Sequence, residues 1–547
     1  MKVIEPSCVL ADEDGMGVPY GLKINYNCMK KKIYLIWTVC CAMLASCDSQ
    51  LDKMGPHNQP DADTYLEDFD NVVKATSGVY SQFYMQGGGF QDLAPYDLAM
   101  HTLGELRGNN VILAEAFTPK MDDELVFRYS DAHFFINTDR KRESMAWPVW
   151  AKTHQIVLSA SQIIKALDKL YPQTLNPEQK EKLLQLKGDN LFIRGLAIFN
   201  GVNCFGRPYW DEPEKNLGIP LDVNGSGNLL PRSSVKAGFE QALADFKAAV
   251  RYLPENGTFD RTYANRAAAY GMISKVYLYM GGLPESPDRE NNRLAALYAD
   301  SVFMQPGVEL CTGTDFEQLY LSDARVNKEF LFAFSPANFA GNIGNPIRKL
   351  YNWTGIESQK NTAIYEVVVS RDFEKLMDKE KDIRWKFFVT ASERHPGRFT
   401  TCKYDGGKQY SYGDNAYFQA PDILIRAGEV ALNRAEAYAK MGDARAIADL
   451  NDIRTRAGLD RVNGLSGAEL WKAVFTERQR ELAFEGQVFF DYARNGVTIQ
   501  REEITTAYPL YTGDQYNRLD TKTSRRTMLK IPYEELQLNK KLVQNEY

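Results

Sequence analysis

Three glutamates near the C-terminus are spaced so that they could perform acid–base chemistry. Glu477 and Glu481 are four residues apart, as are Glu481 and Glu485, so a helix would place neighbouring members on one face. Two carboxyl groups on one face could serve as the acid and base of a glycoside hydrolase. Arg478 and Arg480 lie in the same segment, however, and like charges at this spacing are unfavourable unless cations neutralise them. We therefore favour an ion-paired structural helix over a catalytic one.

Aromatic side chains in two loop-rich tracts form a second group with chemical potential. Phe90 and Tyr96 lie beside Asp92 and Asp97, and a later tract, 330–355, mixes rings with Asn and Arg side chains. Sugars present C–H faces that stack on rings, and hydroxyls that pair with amide, carboxylate or guanidinium groups. The same rings could instead anchor the loops on a scaffold, and residue types alone leave both interpretations open. The candidate ligand-binding residues are Trp353, Tyr351, Asn352, Arg348, Phe339, Asn342, Phe90 and Tyr96.

Other familiar kinds of site have little support in the sequence. Gly87-Gly88-Gly89 lacks the Lys-Ser/Thr that completes a phosphate-binding loop. Asp422, Asp514 and Asp520 do not have the spacing of an EF-hand. The 5 His residues show no pairing typical of zinc ligands, so we predict neither a metal nor a cofactor. With 65 Lys and Arg against 71 Asp and Glu, the net charge of −6 argues against a nucleic-acid partner.

The N-terminal segment has the pattern of an export signal. Three lysines, 30–32, precede a run of mostly apolar residues that is too short for a transmembrane helix, which needs about 20 residues. The run ends in Leu44-Ala45-Ser46-Cys47, which is similar to a bacterial lipobox. An ordinary signal peptide that happens to end in Cys is the alternative. Residues 1–28 fit no signal region, so Met29 is the expected start.

Cys47 is the predicted lipidation site, because a lipobox cysteine carries a diacylglycerol and becomes the first residue after cleavage. Residues 1–46 would then be the leader, and fatty acyl chains on Cys47 would anchor the protein in a membrane. Residues 47–64, rich in polar residues with Gly and Pro, are predicted to form a flexible tether. The body contains three widely separated cysteines, which we expect to be buried and unpaired: Cys204, Cys311 and Cys402.

Helical periodicity dominates the body, and the helices come in pairs. In the clearest pair, 423–441 has apolar residues at three- and four-residue spacing and stops at Gly442, and 444–457 follows. Two such helices in about 34 residues are typical of tetratricopeptide repeats. Weaker pairs are 261–281 with 292–305, 183–203 with 235–253, and 66–84 with 147–170. A strand is expected at 330–335 and a hairpin within 391–420.

The predicted fold is therefore mostly α, with a scaffold of about four tetratricopeptide-like helix pairs. A loop-rich ligand-binding subdomain and minor β-hairpins complete it, because long loops in compact proteins commonly carry function. An irregular helical bundle without repeat geometry is the alternative. The tracts expected to be loops include 86–111, 204–231 and 330–355.

Several segments together carry a resemblance to one family. They are Cys47 with Leu51-Asp52-Lys53, 435–443, 450–459, 477–494, and 531–539 followed by Val543-Gln544-Asn545. In this combination and order they resemble the SusD/RagB family of outer-membrane lipoproteins of Bacteroidetes. The resemblance covers the predicted mature chain and is strongest over 422–547. The tail Asn545-Glu546-Tyr547 departs from the family, which commonly has a Gly before the final Tyr.

The resemblance implies a non-catalytic cell-surface lipoprotein of the outer membrane. Such a protein binds oligosaccharide or polysaccharide and delivers it to a SusC-like TonB-dependent transporter. The family's ligand loops fall in the tract that contains Tyr351 and Trp353, which favours these two rings as ligand contacts. We expect a single body, 65–547, with an N-terminal part at 65–255 and a C-terminal part at 256–547. The alternatives are a peptide-binding RagB-like protein and a secreted glycan hydrolase that uses the three glutamates.

Overall fold

The protein is described by a computed structural model, and the chain divides into Met1–Tyr65 and a body, Leu66–Tyr547. The structure describes residues 62–83, 95–114, 130–139, 144–255, 260–322, 324–334, 347–351, 367–392, 395–404, 422–503 and 513–546. The predicted leader and Cys47 lie outside these ranges. Within them, no helix combines the length and the hydropathy that a membrane span requires.

Helices form most of the described body. The longer ones are α1 Phe69–Ser81, α2 Tyr96–Glu105, α3 Ala146–Gln173, α4 Pro177–Phe205, α5 Val235–Val250, α6 Arg266–Tyr279, α7 Arg289–Phe303, α8 Ala427–Met441, α9 Ala446–Arg456 and α10 Gly467–Glu481. Helix α1 packs on α3, α4 on α5, α6 on α7, and α8 on α9. All four predicted helix pairs are therefore present. The predicted mostly α, tetratricopeptide-like fold is confirmed.

Local sequence signals set the ends of these helices. Asn176 accepts hydrogen bonds from the backbone N–H groups of Glu178 and Gln179, and Pro177 occupies the first turn of α4, where its missing N–H has no cost. Ser234 caps α5 in the same way. Helix α8 ends at Gly442, whose φ of 74° lies in the left-handed region that favours glycine. The predicted helix stop at Gly442 is confirmed.

Short helices and 3-10 turns fill the connections. They are Ala62–Tyr65, Gly313–Glu317, Leu319–Leu321, Arg348–Tyr351, Arg371–Leu376, Ile383–Phe388, Val488–Arg494, Asp514–Asn517, Arg525–Thr527 and Tyr533–Leu538. Helix α2 corrects one expectation, because it lies within the tract 86–111 that was predicted to be a loop. Its residues Leu98, Ala99 and Leu103 are buried, and burial of these apolar side chains stabilises a helix there.

The described strands are short and form antiparallel pairs. They are β1 Val111–Leu113, β2 Gly282–Leu283, β3 Ser286–Pro287, β4 Phe330–Phe334, β5 Val367–Val369, β6 Val389–Ala391, β7 Phe399–Thr401, β8 Asp422–Arg426, β9 Ile499–Gln500 and β10 Arg518–Leu519. The pairs are β1 with β5, β2 with β3, β4 with β8, β6 with β7, and β9 with β10. Strands β6 and β7 form a hairpin at the start of the predicted hairpin region.

The pairing of β4 with β8 both confirms and corrects the sequence analysis. The strand expected at 330–335 is present as β4. The helix expected from residue 423 instead begins at Ala427, because Asp422–Arg426 extends as β8 beside β4. Ile423 and Ile425 alternate along this strand and are both buried, which a two-residue period allows.

The three body cysteines have no disulfide partners. Cys204 is buried, whereas Cys311 and Cys402 are partly exposed. The prediction that they are unpaired is confirmed, and the expectation of full burial holds for Cys204 alone. Burial raises the pKa of Cys204 to about 12, so this thiol is inert at neutral pH.

Candidate ligand-binding site

The described residues include part of the predicted site. Phe90, Phe339, Asn342, Asn352 and Trp353 lie outside them, as does the side chain of Arg348, whose backbone begins the short helix Arg348–Tyr351. Tyr96 and Tyr351 are described in full. The roles of all eight residues as ligand contacts stay predictions.

A small cavity lies beside Tyr96, and we call it the ligand cavity. Its volume is about 80 Å³. Its lining consists of Phe83, Tyr96, Asp97, Met100, His101, Leu196, Phe199, Asn200, Asn203, Met272, Lys275, Tyr279, Phe334, Asp422, Ile423, Leu424, Glu485, Gly486, Gln487 and Phe490. Typical small-molecule pockets enclose about 300–1,000 Å³, so this cavity suits one substituent of a larger ligand rather than a whole ligand.

Helix α2 presents two of the polar groups in this lining. Asp97 and His101 are four residues apart and so share one face of the helix. Asp97 lies in the first helical turn, where its Oδ1 accepts a 2.7 Å hydrogen bond from the N–H of Leu98. Asp422 reaches the same cavity from the start of β8. A helix and a strand that are far apart in sequence therefore bring two carboxyl groups to one cavity.

Burial and nearby negative charges disfavour ionisation of both Asp97 and Asp422. Burial, followed by the nearby charge of Asp422, raises the pKa of Asp97 well above its usual range. Burial and the charge of Glu485 raise the pKa of Asp422 to about 7. Near neutral pH the pair therefore holds at least one proton. It can both donate and accept hydrogen bonds, as a hydroxyl-rich ligand requires.

His101 connects the ligand cavity to Tyr351. The Nε2 atom of His101 lies 2.7 Å from the hydroxyl of Tyr351, and both side chains are buried. Tyr351 also stacks on Tyr404 with ring centroids 6.0 Å apart. Burial lowers the pKa of His101 to about 3, so its ring is neutral at physiological pH. In this structure Tyr351 therefore anchors its short helix on α2.

A strained turn after α10 packs against α2. Phe484 has a φ of 66°, and its N–H donates a 3.1 Å hydrogen bond to Glu105. The backbone N–H of Gly486 donates a 3.1 Å hydrogen bond to the other carboxylate oxygen of Glu105. A Cβ atom on Gly104 would lie 1.7 Å from the carbonyl oxygen of Gly486, so the close approach requires glycine at 104. This contact places Glu485 at the wall of the ligand cavity.

Behind the cavity, Glu481 is the centre of a buried ionic cluster that we call the Glu481 network. Its carboxylate accepts hydrogen bonds of 2.9 Å from Arg384, 2.8 Å from Arg426 and 2.8 Å from Arg456. Burial opposes its ionisation, but the charges of Arg456, Arg426 and Arg384 hold the pKa of Glu481 well below its usual range. Glu329 pairs with two of the same arginines, at 2.8 Å from Arg426 and 2.7 Å from Arg456.

The other two glutamates of the sequence motif belong to the same network. Glu477 accepts from Arg384 at 2.6 Å and from Arg480 at 3.2 Å. Glu485 pairs with Lys403 at 2.6 Å and with Arg426, and its pKa is lowered to about 2 although burial opposes this. Glu481 and Glu485, whose pKa values are lowered, are held in the ionised form and so cannot serve as the general acid of a glycosidase.

The ion-paired interpretation of this helix is confirmed, and of the two expected partners Arg480 does pair with Glu477. Arg478 turns away to Asp491 at 2.8 Å and Asn433 at 2.7 Å. The main cations come from the short helix Ile383–Phe388, from β8 and from α9, which only the tertiary fold brings together. Among the described residues, no group of three or more His, Cys, Asp or Glu side chains is placed to hold a metal ion.

Sequence reasoning missed His101, and considered Asp422 only as an unlikely calcium ligand. His101 is a single histidine in a tract that was expected to be a loop, and the sequence therefore did not indicate that it lines a cavity. Tyr209 and Trp210 contact other parts of the scaffold. The indole N–H of Trp210 donates to the carbonyl of Ala493 at 3.1 Å, and Tyr209 packs on Phe239.

Two family models match the chain. Residues 347–547 match the model described as the SusD family. Residues 99–278 match a model described as starch-binding and associating with the outer membrane. The first matched region contains Asp422 and all members of the Glu481 network except Glu329. The second contains most of α2, including His101, but begins after Asp97.

Individual proteins are similar over much of the chain. A SusD-like protein of Bacteroides ovatus is 24% identical over 307 residues, which are 56% of this chain and 50% of that relative's own length. The crystal structure of a SusD superfamily protein from Bacteroides thetaiotaomicron superposes with a TM-score of 0.71 at 23% identity, covering 88% of this chain and 100% of that one. Surface glycan-binding protein A from Bacteroides uniformis gives a TM-score of 0.66 at 18% identity, covering 87% and 99%.

Proposed function

Because this chain belongs to the SusD/RagB family, we propose that it is a non-catalytic lipoprotein that binds a glycan at the cell surface. Family membership supports carbohydrate binding and an association with the outer membrane. One structural neighbour is a surface glycan-binding protein. The specific glycan, the surface location and the transporter partner are parts of the proposal.

The observation that carries the proposal is the wall of the ligand cavity. Tyr96, Asp97 and Asp422 line it together with several aromatic rings. A protonated carboxyl group can both accept from and donate to sugar hydroxyls, and aromatic rings can stack on C–H faces. In the sequence, 84–94 directly precedes this face of α2 and 405–421 directly precedes β8. We propose that the ligand extends from the cavity to Trp353 and the other predicted loop contacts.

The predicted anchor and partner complete the proposal. Acylation of Cys47 after removal of 1–46 would hold the protein at the outer membrane, and 48–64 would act as a tether. The body, 65–547, would then present captured glycan to a SusC-like TonB-dependent transporter. In this arrangement the Glu481 network is structural, and no hydrolysis is expected.

Calorimetry with an oligosaccharide that binds in a screen would test the cavity directly. Asp97→Asn keeps the shape of the side chain but removes one of the two ionisable carboxyl groups of the cavity. It should weaken binding about tenfold, or about 1.4 kcal/mol. Asp168→Asn is the matched control, because Asp168 is an exposed aspartate on α3 outside the cavity. Equal affinities of wild type and Asp97→Asn would exclude the ligand cavity from the binding site.

A further inference from the structure

A second, larger cavity lies on the helical scaffold, between α1, α4 and the chain that follows α5. Its volume is about 240 Å³, and we call it the scaffold cavity. None of the residues that line it also lines the ligand cavity. A volume just below the range of about 300–1,000 Å³ for typical small-molecule pockets suits one small ring.

Helix α4 turns a polar face to this cavity. Lys182, Gln185 and Asp189 are separated by three and four residues, so they lie in one row along the helix. Helix α1 contributes Tyr80 from the opposite side. Facing rows on packed helices normally carry apolar side chains, because burying unpaired polar groups is costly. Lys182 and Gln185 are half-buried and hydrogen-bond to each other at 3.2 Å, whereas Asp189 is buried. The row therefore lines the unfilled volume with polar groups that a polar ligand can contact.

Asp189 supplies a buried acceptor at the inner wall. It is 3% exposed, and its Oδ1 accepts a 2.8 Å hydrogen bond from the Tyr80 hydroxyl. The N–H of Ala264 donates to the same hydroxyl at 3.0 Å, which fixes its direction. Within the ranges that the structure covers, Tyr80 is the one hydrogen-bond donor to this carboxyl group, so its second oxygen is available. Burial raises the pKa of Asp189 to about 7.

Tyr263 supplies an aromatic surface at the outer wall. It is 43% exposed, and its edge contact with Tyr80, at 5.5 Å between centroids, fixes the ring. Asp260 lies beside it and accepts from the N–H and hydroxyl of Thr262. Lys182 provides a positive charge that offsets the negative charge of Asp260 at the same cavity, so the lining suits a neutral ligand. The aromatic ring can stack on the C–H face of a neutral sugar. The amide, ammonium and carboxyl groups can hydrogen-bond to its hydroxyls.

We infer that the scaffold cavity is a second sugar-binding site, which takes a single sugar ring stacked on Tyr263 with a hydroxyl directed at Asp189. The choice of a sugar rests on the proposed function, whereas the location of the site does not. A second site on the scaffold would let one protein hold a branched or long glycan at two points and so increase its avidity.

Saturation-transfer NMR on the purified body, with D-glucose, D-galactose, D-mannose and N-acetyl-D-glucosamine as probes, tests the inference. Tyr263→Ala should weaken binding of the sugar that gives a signal by about tenfold or more, as loss of a central aromatic contact does. Tyr171→Ala is the matched control, because Tyr171 is 37% exposed on α3 and does not line the cavity. Tyr263→Ala should remove the same part of the signal in the Asp97→Asn background as it does in the wild-type protein.

A pH profile separates a binding role of Asp189 from a structural one. Binding by wild type should be stronger at pH 8 than at pH 6, because the ionised carboxylate is the better acceptor. Asp189→Asn should remove this dependence while the protein still melts cooperatively.

Two results would overturn the inference, namely no signal from any of the four sugars or equal signals in wild type and Tyr263→Ala. A signal lost in Asp97→Asn instead would place the sugar in the ligand cavity alone, which refutes the second site and leaves the proposed function standing. If the monosaccharide binds as expected but no oligosaccharide responds to Asp97→Asn, the proposal for the ligand cavity fails on its own.

Discussion

The Glu481 network offers a perturbation whose effect distinguishes a structural from a catalytic role. Glu481→Gln keeps the size of the side chain and one acceptor oxygen but removes the charge that three guanidinium groups share. Glu481 is 1% exposed, so water cannot replace the lost interaction. Arg384, Arg426 and Arg456 would then be buried with less compensating charge, which is the costly state of an ionic cluster.

The expected loss of stability follows from this burial. Removing one partner of a buried ion pair costs about 3–5 kcal/mol. Unfolding entropy is about 2.1 cal/mol/K per residue, which for the roughly 480 residues of the body is about 1 kcal/mol/K. The melting temperature should therefore fall by about 3–5 °C at pH 7. Glycan affinity should not change, because Glu481 does not line the ligand cavity.

Differential scanning calorimetry and binding calorimetry on the same preparations provide the assay. Glu502→Gln is the matched control, because Glu502 forms an exposed pair with Lys375 and its loss should leave the melting temperature unchanged. The difference between wild type and Glu481→Gln should shrink as the pH falls below about 4.3, the ordinary pKa of Glu. This sign follows because a lowered pKa in the folded state stabilises the fold above the unfolded pKa and loses that contribution in acid. An unchanged melting temperature, or the loss of a hydrolase activity, would refute the reasoning.

Three further outcomes are expected. Cys47→Ala should move the protein from the membrane fraction to the soluble fraction of cells, and firm membrane association of the variant would contradict the lipid anchor. Trp353→Ala should weaken glycan binding by more than about tenfold in calorimetry with little change in melting temperature, whereas a collapse of the melting temperature would identify a structural ring. Asp422→Asn should melt above wild type at pH 8 and close to it at pH 4, because a pKa raised to about 7 makes ionisation unfavourable in the fold; an equal offset at both pH values would contradict this.

Much of the scaffold could be predicted from the sequence because its signals are local. The spacing of apolar residues and the terminal Gly442 identified α8. The helix that packs on it comes next in the chain, so the pair could be predicted from sequence order. The start of α8 was wrong because β8 depends on β4, about 90 residues earlier, and no local pattern reveals such pairing. Helix α2 was missed for a related reason, since it packs on α3 and on the short helix Val488–Arg494, which come later in the chain.

The candidate site was less predictable because its parts come from distant segments. The sequence suggested Tyr96 and Asp97 together, and both line the ligand cavity. The carboxyl group of Asp422 joins them from β8, which is more than 300 residues later in the sequence. The neutral state of His101 results from its burial, which the sequence alone does not show. The motif of three glutamates was correctly assigned to ion pairs, yet Arg426 and Arg384 could be identified as partners only from tertiary structure.

The most direct test of the central claim is a binding measurement on purified protein comprising residues 48–547, against an array of glycans and a library of peptides. A reducing-sugar assay on each glycan that binds should accompany it. We predict saturable binding to one class of glycan, no binding to peptides and no release of reducing ends. Selective binding of peptides, or cleavage of the bound glycan, would contradict the assignment of this protein as a non-catalytic glycan-binding protein.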